Sequence, residues 1–184
     1  DKTRHEVLFS DGLMELRYYP QQDSHTFELD GDAVTPQAQQ HKTPILLVPP
    51  LGVFHWIYDL MAERSWVRFL NANGFQVYLV NWGAPSKQDA DLSIDTYVNH
   101  WLKTAVDQVQ QHSGERQVSL VGYCMGGLLT LLYAGAHNNG QIRNIVTIAS
   151  PIDFHASHAY GKLLGWVKRY TKRVPIPKAF ADSN

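Results

Sequence analysis

Three short runs in this chain are apolar or nearly so: Ile45 to Val48, Val77 to Val80 and, with Ser119 as its one polar residue, Val118 to Val121. A fourth, Ile145 to Ala149, is interrupted only by Thr147. Runs of this kind read as strands buried on both faces of a sheet. The segments between them have helical period. A helix is predicted around Ser65 to Ala72, with Trp66, Phe69 and Leu70 on one face and Gly74 as its stop. Ser93 is placed to cap a longer one, whose apolar positions Ile94, Val98, Trp101, Leu102, Ala105 and Val109 carry it to Gly114. A third leaves Val121 through a glycine-rich turn and runs by Leu128, Leu129, Leu131 and Leu132 to about His137. Buried strands alternating with amphipathic helices imply right-handed βαβ units and a parallel sheet covered on both faces. The expected fold class is therefore α/β, with ligands met at the carboxyl ends of the strands. Ahead of this series, His5 to Phe9 and Leu13 to Tyr19 flank Ser10-Asp11-Gly12 and read as a hairpin. Pro20 to Thr43 reads as a surface connection with a short strand at Thr26 to Leu29. The hairpin plus the βαβ series resembles the order of elements along an α/β-hydrolase core.

The turn between the third run and its helix is Gly122-Tyr123-Cys124-Met125-Gly126-Gly127. Strand, sharp turn and helix is the setting in which a G-x-nucleophile-x-G motif works, because flanking glycines let backbone pass close to the strained nucleophile. Cys124 occupies that position and is the only cysteine in the chain. A helix starting at Met125 would turn its positive end toward the sulfur and favour the thiolate. A lone cysteine is commonly just a small buried hydrophobe, but this setting favours the nucleophile. Oxyanion stabilisation in such a fold comes from the backbone N–H after the nucleophile, here Met125, and from one in the loop after the third strand. That loop is Pro49-Pro50-Leu51-Gly52-Val53, and since proline has no N–H, Leu51 is the expected second donor, with Gly52 next.

A cysteine nucleophile also needs a base and an orienting acid. After Cys124 the chain offers His137, His155 and His158, and Asp153 and Asp182. His137 closes the helix that leads away from the turn. His155 and His158 fall just after the fourth apolar run, earlier than a triad histidine usually sits. Asp153 reads more readily as a loop or helix-cap residue. The acid and the base are expected beyond Asn184, in a sheet cut off after about its sixth strand.

The bulk properties fit that picture. With 184 residues, 44% of them hydrophobic, and a net charge of −1, the chain suits one soluble domain and gives no field to attract nucleic acid. One cysteine rules out an internal disulfide framework and suits a reducing cytoplasm. No apolar run approaches a membrane span. No histidine pair has the i, i+4 spacing with glutamate of a zinc site, so no metal is expected.

Several motifs together resemble the polyhydroxyalkanoate synthases. They are Val48-Pro49-Pro50; Tyr58-Asp59-Leu60 followed by Arg64-Ser65 and Val67-Arg68; Gly74 to Val80 leading into Trp82-Gly83-Ala84-Pro85-Ser86; Asp95 to Val98; Gly122 to Gly127; and Pro151-Ile152-Asp153-Phe154. The resemblance covers roughly Pro44 to Phe154. It implies an α/β-hydrolase-fold acyltransferase that joins hydroxyacyl groups from coenzyme A thioesters into polyester, with Cys124 as nucleophile. It implies no cofactor beyond the thioester substrate, and a cytoplasmic enzyme at the surface of polymer granules. The partners would be hydroxyacyl-CoA and the growing polyester, with room for a homodimer or a partner subunit. Where the family often carries an Asn-Lys pair, this chain reads Leu51-Gly52-Val53-Phe54-His55-Trp56-Ile57. The turn motif alone is similar also to that of the dienelactone hydrolases, which makes a hydrolase the first alternative. A non-catalytic piece of the fold is the second.

Residues 1–155 are expected to form a partial core, and 156–184 to begin a cap. Tyr160, Leu163, Leu164, Val167 and Tyr170 recur at helical spacing there, with Lys162, Lys168, Arg169, Lys172 and Arg173 mostly off the stripe, and Pro175 and Pro177 stop the pattern.

Overall fold

Two antiparallel strands, β1 (Glu6–Asp11) and β2 (Met14–Tyr19), meet at a tight turn in which Gly12 takes φ +57°. They form one end of the sheet in the computed structural model, which describes residues 3–22, 25–39, 41–52, 55–137 and 140–153. The chain continues with β3 (Phe27–Leu29), β4 (Asp32–Val34), β5 (Ile45–Val48), β6 (Asp59–Met61), β7 (Arg64–Ser65), α1 (Trp66–Ala72) and β8 (Val77–Asn81). A π-helical segment over Thr96–Leu102 leads into α2 (Lys103–Ser113), then β9 (Val118–Tyr123), α3 (Met125–Ala136) and β10 (Ile142–Ile148).

The main sheet has six strands in the order β1-β2-β8-β5-β9-β10. Pairings β8–β5, β5–β9 and β9–β10 are parallel, and β1–β2 and β2–β8 antiparallel. Because side chains alternate across a strand, β5 feeds two cores. Leu46 and Val48 join Val80, Leu120, Val98, Trp101, Val106 and Leu129 on one face. Ile45 and Leu47 join Val77, Leu79, Tyr58 and Val67 on the other. From β5 the chain moves outward to β8, then crosses back over β5 to reach β9. That reversal is the topological switch point, and it opens a crevice at the carboxyl ends of β5 and β9. The α/β-hydrolase core read from the sequence is present, with Cys124 after the fifth strand of the main sheet in chain order.

Four local readings are corrected. The surface connection contains a second hairpin, β3–β4, whose Asp30 and Gly31 take φ of 52° and 90°. Those two left-handed residues make the two-residue turn that Asp-Gly favours. In α1, Trp66 and Phe69 are 41% and 45% exposed, while Val67, Asn71 and Ala72 are buried. The buried polar residue explains the rotated face. Asn71 donates through Nδ2 to the carbonyls of Tyr19 (3.0 Å) and Pro20 (3.1 Å), and its Oδ1 accepts from the Gln22 N–H (2.9 Å). The Ser93 hydroxyl does accept from the Thr96 N–H at 3.4 Å, as a cap should, yet Ile94 is 48% exposed. The π-helical turns after it bury Tyr97, Val98, Trp101 and Leu102 together, with the rings of Tyr97 and Trp101 edge to face at 5.0 Å. Finally, the fourth apolar run is not fully buried, since Val146 in β10 is 46% exposed.

The rotated face of α1 yields a test. Asn71→Ala strips partners from two carbonyls and an N–H and should destabilise by about 2–3 kcal/mol in urea unfolding. Phe69→Ala should lose under about 1 kcal/mol, because half of that ring is already in water. The reverse order would restore the face read from the sequence.

By internal contacts the chain divides into Asp1–Ser150 and Pro151–Asn184. In the second unit, Pro151–Asp153 has no regular structure and Ile152 is exposed. The cap read over 156–184, with His155, His158 and Asp182, lies outside the described residues.

Candidate active site

Cys124 is the one residue between β9 and α3, and its backbone is at φ 51°, ψ −121°. For a residue with a Cβ this is a sparsely populated region that carries about 1–3 kcal/mol of strain. The surroundings hold it there. The Cys124 N–H donates to the Ile148 carbonyl at 2.8 Å, and its own carbonyl accepts from the Gly127 N–H at 3.0 Å. Three glycines make the turn sterically feasible. A Cβ at Gly122 would lie 2.5 Å from the Gly127 nitrogen and 2.6 Å from the Gly126 carbonyl carbon. One at Gly126 would lie 2.8 Å from the Pro49 oxygen and collide with the Val48 oxygen. One at Gly127 would lie 3.0 Å from the Gly122 oxygen and overlap the Ser150 side chain.

Cys124 is partly exposed, and its side chain makes no capping bond to its own helix. The twelve-residue α3 begins at Met125 with no acidic residue in its first turn. Its first amides have no intrahelical acceptor, and the helix dipole places partial positive charge beside them. Met125 and Cys124 thus lie together at the helix start, as the sequence placed them.

The loop after β5 arrives from the other side of the crevice. Gly126 touches the Val48 and Pro49 carbonyls, so the loop runs against the first turn of α3. Leu51 is partly buried against the core, and Gly52 completes its turn at φ +73°. Two side chains to which the sequence assigned no role hold this loop. The Tyr58 hydroxyl donates to the Val48 carbonyl at 3.1 Å and also approaches the Val121 carbonyl at 3.4 Å. Burial pushes the Tyr58 phenol well above its ordinary range, so it stays a neutral donor. The Trp82 indole Nε1 donates to the Pro49 carbonyl at 2.9 Å. Both came to notice only as members of motifs. Nothing in their spacing, ten and thirty-three residues from their acceptors, marks the contacts.

Other motif residues build the frame. Asp59 is buried and accepts from the Ser65 hydroxyl at 2.6 Å and the Thr3 hydroxyl at 2.7 Å. Ser65 in turn caps α1 by accepting from the Arg68 N–H at 3.1 Å. These residues fix how α1 starts.

Among the described residues no histidine or carboxylate hydrogen-bonds the Cys124 sulfur. His137 ends α3, about 18 Å along the helix from its start, and meets Asn99 Oδ1 at 2.9 Å. His112 meets the Tyr78 hydroxyl at 2.8 Å, and His100 pairs with Asp11 at 2.7 Å. Asp153 is exposed. No group of three or more His, Cys, Asp or Glu among the described residues could hold a metal. No helix there is long and apolar enough to cross a membrane.

The family described as the alpha/beta hydrolase fold matches residues 44–182. The chain belongs to the α/β-hydrolase fold family. Within it, the chain is 32% identical over 182 residues to the poly(3-hydroxyalkanoate) polymerase subunit PhaC of Haloferax mediterranei, covering 99% of this chain and 33% of that protein. It is 37% identical over 136 residues to the PhaC subunit of Thiocystis violacea, covering 73% of this chain and 36% of that protein. This α/β-hydrolase chain thus spans about a third of the length of these curated relatives. Among solved structures, a sugar hydrolase from Lactococcus lactis superposes with a TM-score of 0.52 at 14% identity, over 82% of this chain and 55% of that one. That likeness concerns the fold alone. The motif-based resemblance to polyhydroxyalkanoate synthases agrees with the relatives found.

Proposed function

We propose that the full-length protein is an acyltransferase that polymerises 3-hydroxyacyl-CoA through an acyl-cysteine at Cys124. The reading rests on a cysteine in the strained turn of a chain that aligns along 99% of its length with a poly(3-hydroxyalkanoate) polymerase subunit.

The Cys124 thiolate attacks the thioester carbonyl, and the resulting oxyanion is met by the N–H groups of Met125 and Leu51. Collapse expels the coenzyme A thiolate and leaves the acyl group on sulfur. Thiolate and leaving group are of similar stability, so the exchange is nearly balanced in energy. In the second step a substrate hydroxyl attacks the acyl-cysteine and gives its proton to a general base. An ester bond forms and the cysteine thiolate is released. The base and its orienting acid lie outside the described residues. The scheme needs no cofactor or metal, since coenzyme A enters as part of the substrate. The setting is the cytoplasm, at the surface of the polyester granule.

The test is to incubate the full-length protein with 3-hydroxybutyryl-CoA and take mass spectra of the quenched enzyme. A hydroxyacyl mass on the peptide carrying Cys124, with polymer accumulating, is the expected result. Free 3-hydroxybutyrate as sole product would make the protein a hydrolase. An unmodified Cys124 during turnover would end the acyl-cysteine scheme.

A further inference from the structure

The peptide joining Pro49 to Pro50 carries a carbonyl and no N–H, so its orientation can be fixed only through that oxygen. The oxygen is fixed by the Trp82 indole at 2.9 Å, with Trp82 itself only 4% exposed. The indole has little freedom of its own. It stacks on Trp101 at 6.4 Å and 23° and takes the edge of Tyr97 at 5.3 Å and 80°. Behind it the chain turns at Gly83, φ +69°, where a Cβ would lie 2.7 Å from the Leu13 carbonyl oxygen. The peptide bond is planar, and the Pro50 ring holds its φ near about −65°. Between the pinned Pro49 carbonyl and the Leu51 N–H, only ψ of Pro50 remains soft.

We propose that Trp82 is a positioning residue that aims the Leu51 N–H at the acyl-transfer site by holding the Pro49 carbonyl. The inference rests on the roles given above to Cys124 and Leu51. A donor in an oxyanion site works because it already points where charge will develop, and a small misdirection forfeits much of its effect. Indole suits the task because it donates one N–H from a rigid ring and accepts nothing. The Tyr58 hydroxyl does the same for the preceding carbonyl, so both peptides entering the loop are held by buried donors. A buried indole needs an acceptor in any event. A purely structural bond predicts lower stability with normal catalysis by the folded enzyme. Positioning predicts a loss in kcat.

The experiment measures hydroxyacyl-CoA turnover by the full-length protein. Trp82→Phe keeps an aromatic ring against Trp101 and Tyr97 and removes the donor. It should lower kcat about tenfold, a fraction of the roughly 10²–10³ carried by a whole oxyanion donor, and leave KM within about twofold. In a Leu51→Pro background, which lacks the N–H, the same substitution should change kcat by less than about twofold. An unchanged kcat for Trp82→Phe, or an equal loss in both backgrounds, overturns the proposal. If Trp82→Phe fails to fold, 3-benzothienylalanine at position 82, with sulfur for the N–H, is judged by the same outcomes. Cys124→Ala is measured alongside. Turnover lost there but normal in Trp82→Phe removes the positioning role alone, and turnover retained there overturns the reading beneath it.

Discussion

Replacing Cys124 by alanine in the full-length protein should reduce coenzyme A release from 3-hydroxybutyryl-CoA by about three to six orders of magnitude. The oxyanion donors and the substrate-binding surface remain, so the residual rate measures what they contribute without a nucleophile. Activity within about tenfold of the wild type would mean that another residue attacks the thioester. The same position gives an independent signature in stability. At φ 51° and ψ −121°, glycine is at ease and any side chain is strained. Cys124→Gly should therefore unfold at higher urea than Cys124→Ala, by about 1 kcal/mol after the larger chain entropy of unfolded glycine is counted. An equal midpoint for the two would mean that the turn relaxes once the sulfur is gone. Wild type would then retain the thiol against the backbone's own preference.

The largest loss of stability should come from Gly126→Ala. The added methyl would meet the carbonyls of Val48 and Pro49, with backbone on both sides of the contact. Neither the central strand nor the first turn of α3 can yield without disturbing the sheet. About 3–5 kcal/mol is expected, a large part of the 5–15 kcal/mol that holds a typical domain together. Gly122→Ala should be nearly as severe, since its neighbours are also backbone. Gly127→Ala should be milder, because one atom in its way is the tip of a serine side chain, that of Ser150. Urea midpoints for the three substitutions test that ranking. A loss under about 1 kcal/mol at Gly126 would show that the β5 loop does not press on α3.

Much of this arrangement was legible from residues alone. Ile45–Val48, Val77–Asn81 and Val118–Tyr123 announced themselves because strands buried on both faces are largely apolar, Ser119 being the one polar residue between their ends. The turn at Cys124 was legible because only glycine tolerates the approaches that its neighbours make. Val146 misled for a related reason: an apolar run looks the same at the edge of a described sheet as at its centre. Trp66 and Phe69 misled because apolarity was taken for burial, while the residue that anchors α1 is the polar Asn71. The π-helical turns escaped because their wider spacing, over so short a stretch, leaves an apolar pattern that still fits an α-helix. The Trp82–Pro49 contact escaped because it depends on how strands β5 and β8 lie side by side, which single-sequence periodicity does not encode.

The pairing of β5 with β9 also has a consequence for how the chain is made. Val48 pairs with Gly122, 74 residues later, so the central strand has at least one open edge until β9 has left the ribosome. At about 5–20 residues per second, that interval lasts roughly 4–15 s. A wholly apolar strand with a bare edge is a template for pairing with other nascent chains. Pro49 and Pro50 follow it directly, and with no N–H to offer, they prevent an intruding strand from extending its ladder past Val48. The two prolines that restrict the loop in the folded protein also guard the strand while the polypeptide is incomplete.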